Sequence, residues 1–371
     1  MKGENSMTKE IRCYGCGAII QTENEKKIGF VPKNALNREH VLCKRCFKMK
    51  NYHELQETNL TKDDFLRILQ AIGEKDCLVV YIIDLFDFNG SMIDGFIRHI
   101  NNNDVLVIAN KRDILPKSLK DTKIKHWVQR QLKEYGIKPK DVFLTSAIKN
   151  YQLDEILEAI HTYRQGRDVY VVGVTNVGKS TFINSLLKHY TENTNNLYIT
   201  TSEFPGTTLD LIEIPLDEHS SLYDSPGIVN LHQMAHLASN EMLKSILPKS
   251  ELKPITYQLK EKQTLYFGGL ARVDYMKGSE KSFVCFAPKA IQIHRTKLEN
   301  ADGLYDRHKT LKPEIESITS IDQMSRYTLS SNDKKCDVVI SGLGWIRIDE
   351  NTQVVVHAPK GIGVFIRESL V

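Results

Sequence analysis

The chain has 371 residues, 26% of them charged and 41% hydrophobic, with a formal net charge of +4. This excludes collagen, coiled coil and wholesale disorder, and the length suits two or three domains. The longest apolar runs, such as 77–83, are far shorter than the ~18 residues of a membrane helix, and residues 1–10 are polar with no apolar signal core, so a cytoplasmic protein without membrane contact is expected.

Residues 1–10 read as a flexible tail. Cys13-Tyr-Gly-Cys16 and Cys43-Lys-Arg-Cys46 then form two Cys-x-x-Cys knuckles with 26 residues between them. Thiolates at this spacing can share one tetrahedral zinc ion. Cys77, Cys285 and Cys336 are unpaired in sequence and there is no secretion signal, which argues against disulfides. Residues 11–55 are therefore expected to be a module stapled by structural Zn2+ on Cys13, Cys16, Cys43 and Cys46. Its polar stretch 21–40 is too small to fold unaided. Arg38, Lys44, Arg45, Lys48 and Lys50 cluster at the second knuckle. Arg45 and Lys48 are candidate RNA contacts there, and a solvated surface is the plainer alternative.

Residues 56–230 carry the nucleotide chemistry. A strand at 78–84 ends in Asp84-Leu-Phe-Asp87-Phe-Asn-Gly-Ser91. A second apolar strand, 105–109, ends in Asn110-Lys111-Arg-Asp113, whose Asp can accept the paired N–H donors of guanine while the Lys stem packs over the ring. A third, 142–144, ends in Thr145-Ser146-Ala147, matching the loop that offers a backbone amide to the base. Asn110, Lys111, Asp113, Ser146 and Ala147 are the candidate guanine residues.

The strand 168–172 runs directly into Gly173-Val-Thr-Asn-Val-Gly178-Lys179-Ser180 and then into an amphipathic helical pattern from Thr181. This is a phosphate-binding P-loop in its strand–loop–helix setting: backbone amides cradle phosphates, Lys179 reaches the β- and γ-phosphates, and Ser180 binds Mg2+. Gly173, Asn176, Val177, Gly178, Lys179, Ser180, Thr181 and Gly227 are the candidate GTP phosphate residues. A polar loop, 191–202, leads to Pro205-Gly206-Thr207-Thr208, where Thr208, or alternatively Thr207, is expected on Mg2+. Asp224-Ser-Pro-Gly227 is an Asp-x-x-Gly switch, with Asp224 on Mg2+ through water and the Gly227 amide sensing the γ-phosphate.

Here the guanine motifs precede the P-loop; in a conventional G domain they follow it. The sequence is circularly permuted, which a site can survive because it depends on geometry and not on chain order. The permuted order, the two zinc knuckles before it and the long C-terminal segment resemble the YqeH-type GTPases of ribosome assembly. The resemblance covers nearly the whole chain. It implies GTP as nucleotide, Mg2+ as ion, and the small ribosomal subunit or its rRNA as partner, with contact to ribosomal proteins allowed. Asn176 resembles the residue that coordinates K+ in cation-dependent GTPases. Ile228 stands where Ras-like enzymes place a water-orienting Gln, so intrinsic hydrolysis is expected to be slow.

Residues 231–371 begin with a helical spacing over 230–250 and continue as strands at 263–267, 270–275, 282–287, 290–294, 336–340, 344–348 and 353–358, around a polar insertion at 297–335. Arg272, Lys277, Arg295 and Arg347, with Tyr266, Phe267, Tyr275 and Trp345, could form a stacking surface for RNA; the alternative is that the aromatics fill a β core. YqeH relatives have been likened to the TRAP-type RNA-binding β fold, which favours RNA. Charge follows the same division: residues 1–55 hold 11 Lys and Arg against 6 Asp and Glu, 56–230 hold 19 against 24, and 231–371 hold 20 against 16.

The expected fold class is multidomain α/β, with an N-terminal zinc-knuckle module, a circularly permuted P-loop G domain built on a mostly parallel sheet with flanking helices, and a C-terminal β-rich domain. The expected function is a monomeric GTPase switch in small-subunit (30S) assembly. The alternative is a non-catalytic zinc-containing RNA-binding protein in which nucleotide is only structural.

Overall fold

A seven-stranded sheet carries the first half of the chain, in the order β3-β2-β1-β4-β7-β6-β5. Its strands are β1 (Cys77–Asp84), β2 (Asp104–Asn110), β3 (Asp141–Leu144), β4 (Asp168–Val172), β5 (Thr200–Glu203), β6 (Asp210–Pro215) and β7 (Ser221–Asp224). The computed structural model describes residues 11–14, 19–24, 29–36, 41–44, 47, 62–193, 200–203, 210–306, 311, 315, 318 and 320–371. The chain divides into two compact units. One comprises Met1–Ile83, Ile93–Asn110 and Gly136–Val229; the other comprises Asp84–Met92, Lys111–Tyr135 and Asn230–Val371.

In the first unit, β2 pairs with β3, β1 with β4, and β4 with β7, all in parallel, while β5 and β6 close the sheet antiparallel. Helices α1 (Lys62–Gly73), α2 (Phe96–Ile100), α4 (Leu153–Arg164) and α5 (Lys179–Asn193) belong to it. Every residue of β1 is buried, as expected for a parallel strand covered on both faces. The order explains how a permuted chain keeps the fold. The strands before β4 lie on one side of it and those after it on the other. Strand order reverses between β1 and β4, the position where open α/β sheets bind ligands.

The N-terminal segment of this unit holds a small cluster of Cys13, Val31, Val41 and Cys43. Single bridges, Arg12 to Ile19 and Gln21 to Phe30, supply its regular pairing among the described residues. Cys16, Cys46, Arg45 and Lys48 lie outside the described residues, as do Thr207 and Thr208.

The second unit contains two five-stranded sheets, ordered β12-β9-β10-β16-β13 and β17-β14-β15-β11-β8. These strands are β8 (Ile255–Leu259), β9 (Gln263–Phe267), β10 (Ala271–Lys277), β11 (Lys281–Phe286), β12 (Ile293–Lys297), β13 (Met324–Ser331), β14 (Cys336–Ile340), β15 (Gly344–Ile348), β16 (Thr352–Pro359) and β17 (Val364–Glu368). Leu265, Phe267, Val273 and Tyr275 of one sheet share a core with Phe283, Cys285, Val338 and Ile346 of the other. Helix α3 (Asp121–Glu134) is built into this unit. Its Trp127 Nε1 donates to the Glu368 carbonyl at 3.0 Å, and Arg130 forks onto the Glu368 carboxylate. Arg367 donates to Asn89 Oδ1 at 2.8 Å, with its guanidinium 4.8 Å from the Trp127 ring. Segments 84–92 and 111–135, read from sequence as parts of a domain spanning 56–230, therefore pack with 230–371.

Four strand expectations change in this unit. β8, β13 and β17 were not anticipated, and β12 begins three residues later than the expected 290–294. β13 lay hidden in the polar insertion because it is an edge strand whose outward positions are Ser, Arg and Thr, and its burial alternates along its length. The expected helix over 230–250 is reduced to a single turn at Met234–His236 and α6 (Asn240–Ile246). The Met234 N–H donates to the Ser341 carbonyl at 2.9 Å, and Ser239 caps the start of α6 by accepting the Met242 N–H at 3.2 Å. α7 (Leu298–Asp306) occupies the start of the insertion.

Candidate functional site

The P-loop leaves β4 at Gly173 and enters α5 at Lys179. Two of its glycines are required by space. A Cβ on Gly173 would lie 2.9 Å from the Ile82 carbonyl oxygen, and one on Gly178, where φ is +87°, would lie 2.4 Å from Asn110 Nδ2. Asn176 is exposed and left-handed at φ 64°, Val177 is buried, Ser180 is half-buried, and Thr181 is exposed.

Lys179 and Asp224 are both almost fully buried and form an ion pair; the ammonium also donates to the Ser225 carbonyl. The P-loop lysine thus meets the end of the switch strand. One residue pair beyond, the Thr175 N–H donates to the Ile228 carbonyl at 2.7 Å and the Ile228 N–H to Gly173 at 3.3 Å. A Cβ on Gly227 would stand 3.4 Å from Thr175 Cγ2. The Asp-x-x-Gly segment is therefore clasped along the first turn of the P-loop.

The Asn110-Lys-Arg-Asp113 segment joins the same framework through Asn110, which is 3% exposed at the end of β2. Its Nδ2 donates to the Val177 carbonyl at 2.8 Å and its Oδ1 accepts the Ala147 N–H at 3.0 Å. Ser185 Oγ of α5 donates to the Ala147 carbonyl at 2.7 Å. Thr145 fixes the loop from below: its N–H reaches the Ala109 carbonyl and its hydroxyl the Tyr151 carbonyl. Ser146 Oγ is buried with no hydrogen-bond partner among the described residues. The three motifs, separated and reordered in sequence, are contiguous here.

Lys111 and Asp113 belong to the second unit. Lys111 is left-handed at φ 68° and caps the short turn Arg112–Ile114 that holds Asp113. Its ammonium lies 2.6 Å from Asp84 Oδ2. Three residues further, Asp87 is buried and accepts from Ser341 Oγ, Gln233 Nε2 and the Gly90 N–H. Burial, and then the charge of Asp84, push its carboxyl up to about 6. Sequence reading gave neither aspartate a role, although Asp-x-x-Asp at a strand end was visible.

The expected RNA surface is corrected in part. Arg272 is 3% exposed, bonded at 2.7 Å to Asp274 and paired also with Asp302. Asp274 in turn accepts from Thr264 Oγ1 at 2.6 Å and contacts His357 Nε2 at 3.1 Å. Tyr266, Phe267, Tyr275 and Trp345 are buried in the core, with Trp345 stacked on Phe286 at 4.9 Å. Phe267 and Tyr275 face the core shared by the two sheets, whereas Tyr266, next to Phe267, is buried on the opposite face with Ala301, Leu311 and Met324. Lys277 and Arg295 are exposed and Arg347 is half-buried.

Cys13 and Cys43 are buried, and the Cys43 N–H donates to Cys13 Sγ at 3.1 Å. Among the described residues no group of three or more His, Cys, Asp or Glu is placed to hold a metal.

Comparisons with known proteins agree with the geometry. Residues 168–265 match the model of a 50S ribosome-binding GTPase family, and residues 280–370 match that of the YqeH-like C-terminal family. The Bacillus subtilis (strain 168) protein called YqeH is 52% identical over 367 residues, covering 98% of this chain and 100% of that one. NO-associated protein 1, chloroplastic/mitochondrial, of Arabidopsis thaliana is 27% identical, covering 96% and 76%. Nitric oxide-associated protein 1 of Homo sapiens is 21% identical, covering 97% and 75%.

Proposed function

This chain belongs to the YqeH family of circularly permuted GTPases, and on that premise we propose that it is a GTP-hydrolysing switch in assembly of the small ribosomal subunit. The observation that carries the nucleotide part is Asn110, which ties the P-loop to the Ser-Ala loop through two hydrogen bonds. In this reading the P-loop amides, Asn176, Lys179 and Thr181 hold the phosphates of GTP, and Asn110, Lys111, Asp113, Ser146 and Ala147 read the base. Ser180, Thr208 and Asp224 would hold Mg2+, which supplies charge neutralisation at the β- and γ-phosphates. The donor set suits it: a hydroxyl and a carboxylate are hard oxygen ligands.

Binding exchanges the acceptors of the Lys179 ammonium. Its contacts to Asp224 and Ser225 give way to phosphate oxygens, freeing the Asp224 carboxylate toward the metal. Gly227 and Ile228 follow, because they are strapped to the P-loop start. Hydrolysis is slow, since Ile228 offers no polar group to orient water, and K+ at Asn176 or a ribosomal partner raises the rate.

The N-terminal module takes structural Zn2+ from Cys13, Cys16, Cys43 and Cys46. The Cys43 N–H on Cys13 Sγ supports this, because such a bond stabilises a thiolate. RNA contact falls to exposed basic residues, Lys277 and Arg295 among those described, with Arg45 and Lys48 of the zinc module. The protein works in the cytoplasm as a monomer; no helix among the described residues is long and apolar enough to cross a membrane.

Sedimentation with isolated ribosomal subunits under GTP, GDP and no nucleotide tests the switch. Co-sedimentation with the small subunit should depend on nucleotide, and Lys179→Ala should abolish both that dependence and GTP hydrolysis. Equal binding in all three states would remove the switch.

A further inference from the structure

We propose that Asp84 is a positioning residue for guanine-nucleotide binding, acting through Lys111; this rests on the reading of Lys111 as a base-recognition residue. The Asp84 side chain is 5% exposed and that of Lys111 22% exposed, with 2.6 Å between Oδ2 and Nζ. The other carboxylate oxygen accepts the Phe86 N–H at 2.8 Å. The Asp84 backbone N–H donates to Ser91 Oγ at 2.9 Å, and that hydroxyl donates to the Asp87 carbonyl at 2.8 Å. One loop, 84–91, therefore holds the Asp84 backbone by the Ser91 hydroxyl and the carboxylate by the Phe86 N–H.

The loop is itself held. Asp87 accepts two contacts from Ser341 Oγ, at 3.1 and 3.0 Å, and one from Gln233 Nε2 at 3.0 Å. Gly90 leaves no room for drift, since a Cβ there would lie 2.1 Å from Asp87 Oδ2 and 2.5 Å from Ser341 Oγ. Asn230 Nδ2 donates to the Gly90 carbonyl at 2.8 Å.

Two buried carboxylates three residues apart are a costly way to shape a loop. Apolar residues of similar volume generally serve structure as well or better than a buried charge. What the aspartate provides and an apolar residue cannot is a fixed anchor for an ammonium. Anchored at its tip, the four-carbon stem of Lys111 loses its rotamer freedom before nucleotide arrives, so that ordering is not charged against binding. Asp84 thus sets the pose of the side chain that follows Asn110 in the guanine motif.

The test is the affinity of the full chain for a fluorescent GDP analogue in the wild type, Asp84→Asn, Lys111→Met and the double variant. Asn keeps the size of Asp and the acceptor for the Phe86 N–H but carries no charge. Asp84→Asn should weaken binding about ten-fold, the scale of one charge-assisted contact. In the Lys111→Met background the same change should cost nothing further. Unchanged affinity on Asp84→Asn overturns the proposal. So does an equal loss with and without Lys111, which marks a general structural role. Should Asp84→Asn lose its cooperative thermal melt, Asp84→Ser replaces it under the same criteria, because its hydroxyl also accepts the Phe86 N–H. A wild type that binds no GDP would instead strike the proposed function.

Discussion

Asn110 Nδ2 donates to the Val177 carbonyl across 2.8 Å of space and 67 residues of chain. The bond joins the Asn110–Asp113 segment to the P-loop, and the companion bond from the Ala147 N–H brings in the third loop. Replacing Asn110 by Ala strands a buried carbonyl and a buried N–H, so stability should fall by about 2 kcal/mol. Guanine-nucleotide affinity should fall at least ten-fold, because two loops lose their common brace. Thermal melts with and without GDP, alongside nucleotide titrations, measure both effects. A melt lowered without loss of affinity would separate the brace from the site.

Arg272 provides a test of the corrected RNA surface. It is buried between Asp274 and Asp302, so Arg272→Met should leave Asp274 partly uncompensated and destabilise the second unit by about 3 kcal/mol. RNA affinity per folded molecule should not change. Lys277→Ala and Arg295→Ala should do the opposite, leaving the melt within about 0.5 kcal/mol and weakening any RNA contact. Filter binding and calorimetry on the three variants distinguish these outcomes.

Acid sensitivity should centre in part on Asp217. Its carboxylate accepts the His219 N–H first, then Arg164 and Ser220, and is held well below the usual carboxylate range. A depressed folded-state value means stability that is present above the unfolded value near pH 4 and is lost as pH falls below it. Asp217→Asn should therefore lower the melting temperature at pH 7 and lower it by a clearly smaller amount near pH 2, because the contribution drains away only as pH falls from the unfolded value towards the depressed folded one. An equal shift at both pH values would assign the effect to packing.

Metal content tests the N-terminal reading. The wild type should carry about one zinc per chain, and Cys13→Ser or a strong chelator should remove it. Loss should open residues 11–55 to proteolysis while GDP binding persists, because the P-loop and its braces lie in another part of the chain. Zinc-free protein with an intact protease pattern would count against the staple.

Much of the proposed nucleotide site was legible because the chemistry proposed for it depends on contiguous short motifs. The P-loop, Asn110 to Asp113, Thr145 to Ala147, and Asp224 to Gly227 each sit on a strand end, and buried strands such as β1 and β4 announce themselves as apolar runs. What was hidden depends on long-range partners. Asp84 and Asp87 look like loop residues until Lys111, Gln233 and Ser341 are placed beside them. Arg272 looks like a surface cation until Asp274 and Asp302 neutralise it. Amphipathic edge strands such as β13 lack the continuous apolar run that marks an interior strand, and the helical spacing after Gly227 gives way to a single turn whose Met234 N–H bonds to the Ser341 carbonyl, a partner 107 residues away in sequence.

The interleaving of the two units also has a consequence for how the molecule comes into being. Chain passes from one unit to the other at 83/84, 92/93, 110/111, 135/136 and 229/230. Asn89 must find Arg367, 278 residues later, and Trp127 must find Glu368, 241 residues later. Closing such distances is slow, and it cannot begin until the last strand has been synthesised. The loop that holds Asp84 and Asp87 therefore matures late, and a C-terminal truncation ahead of β17 would damage a loop near the beginning of the fold.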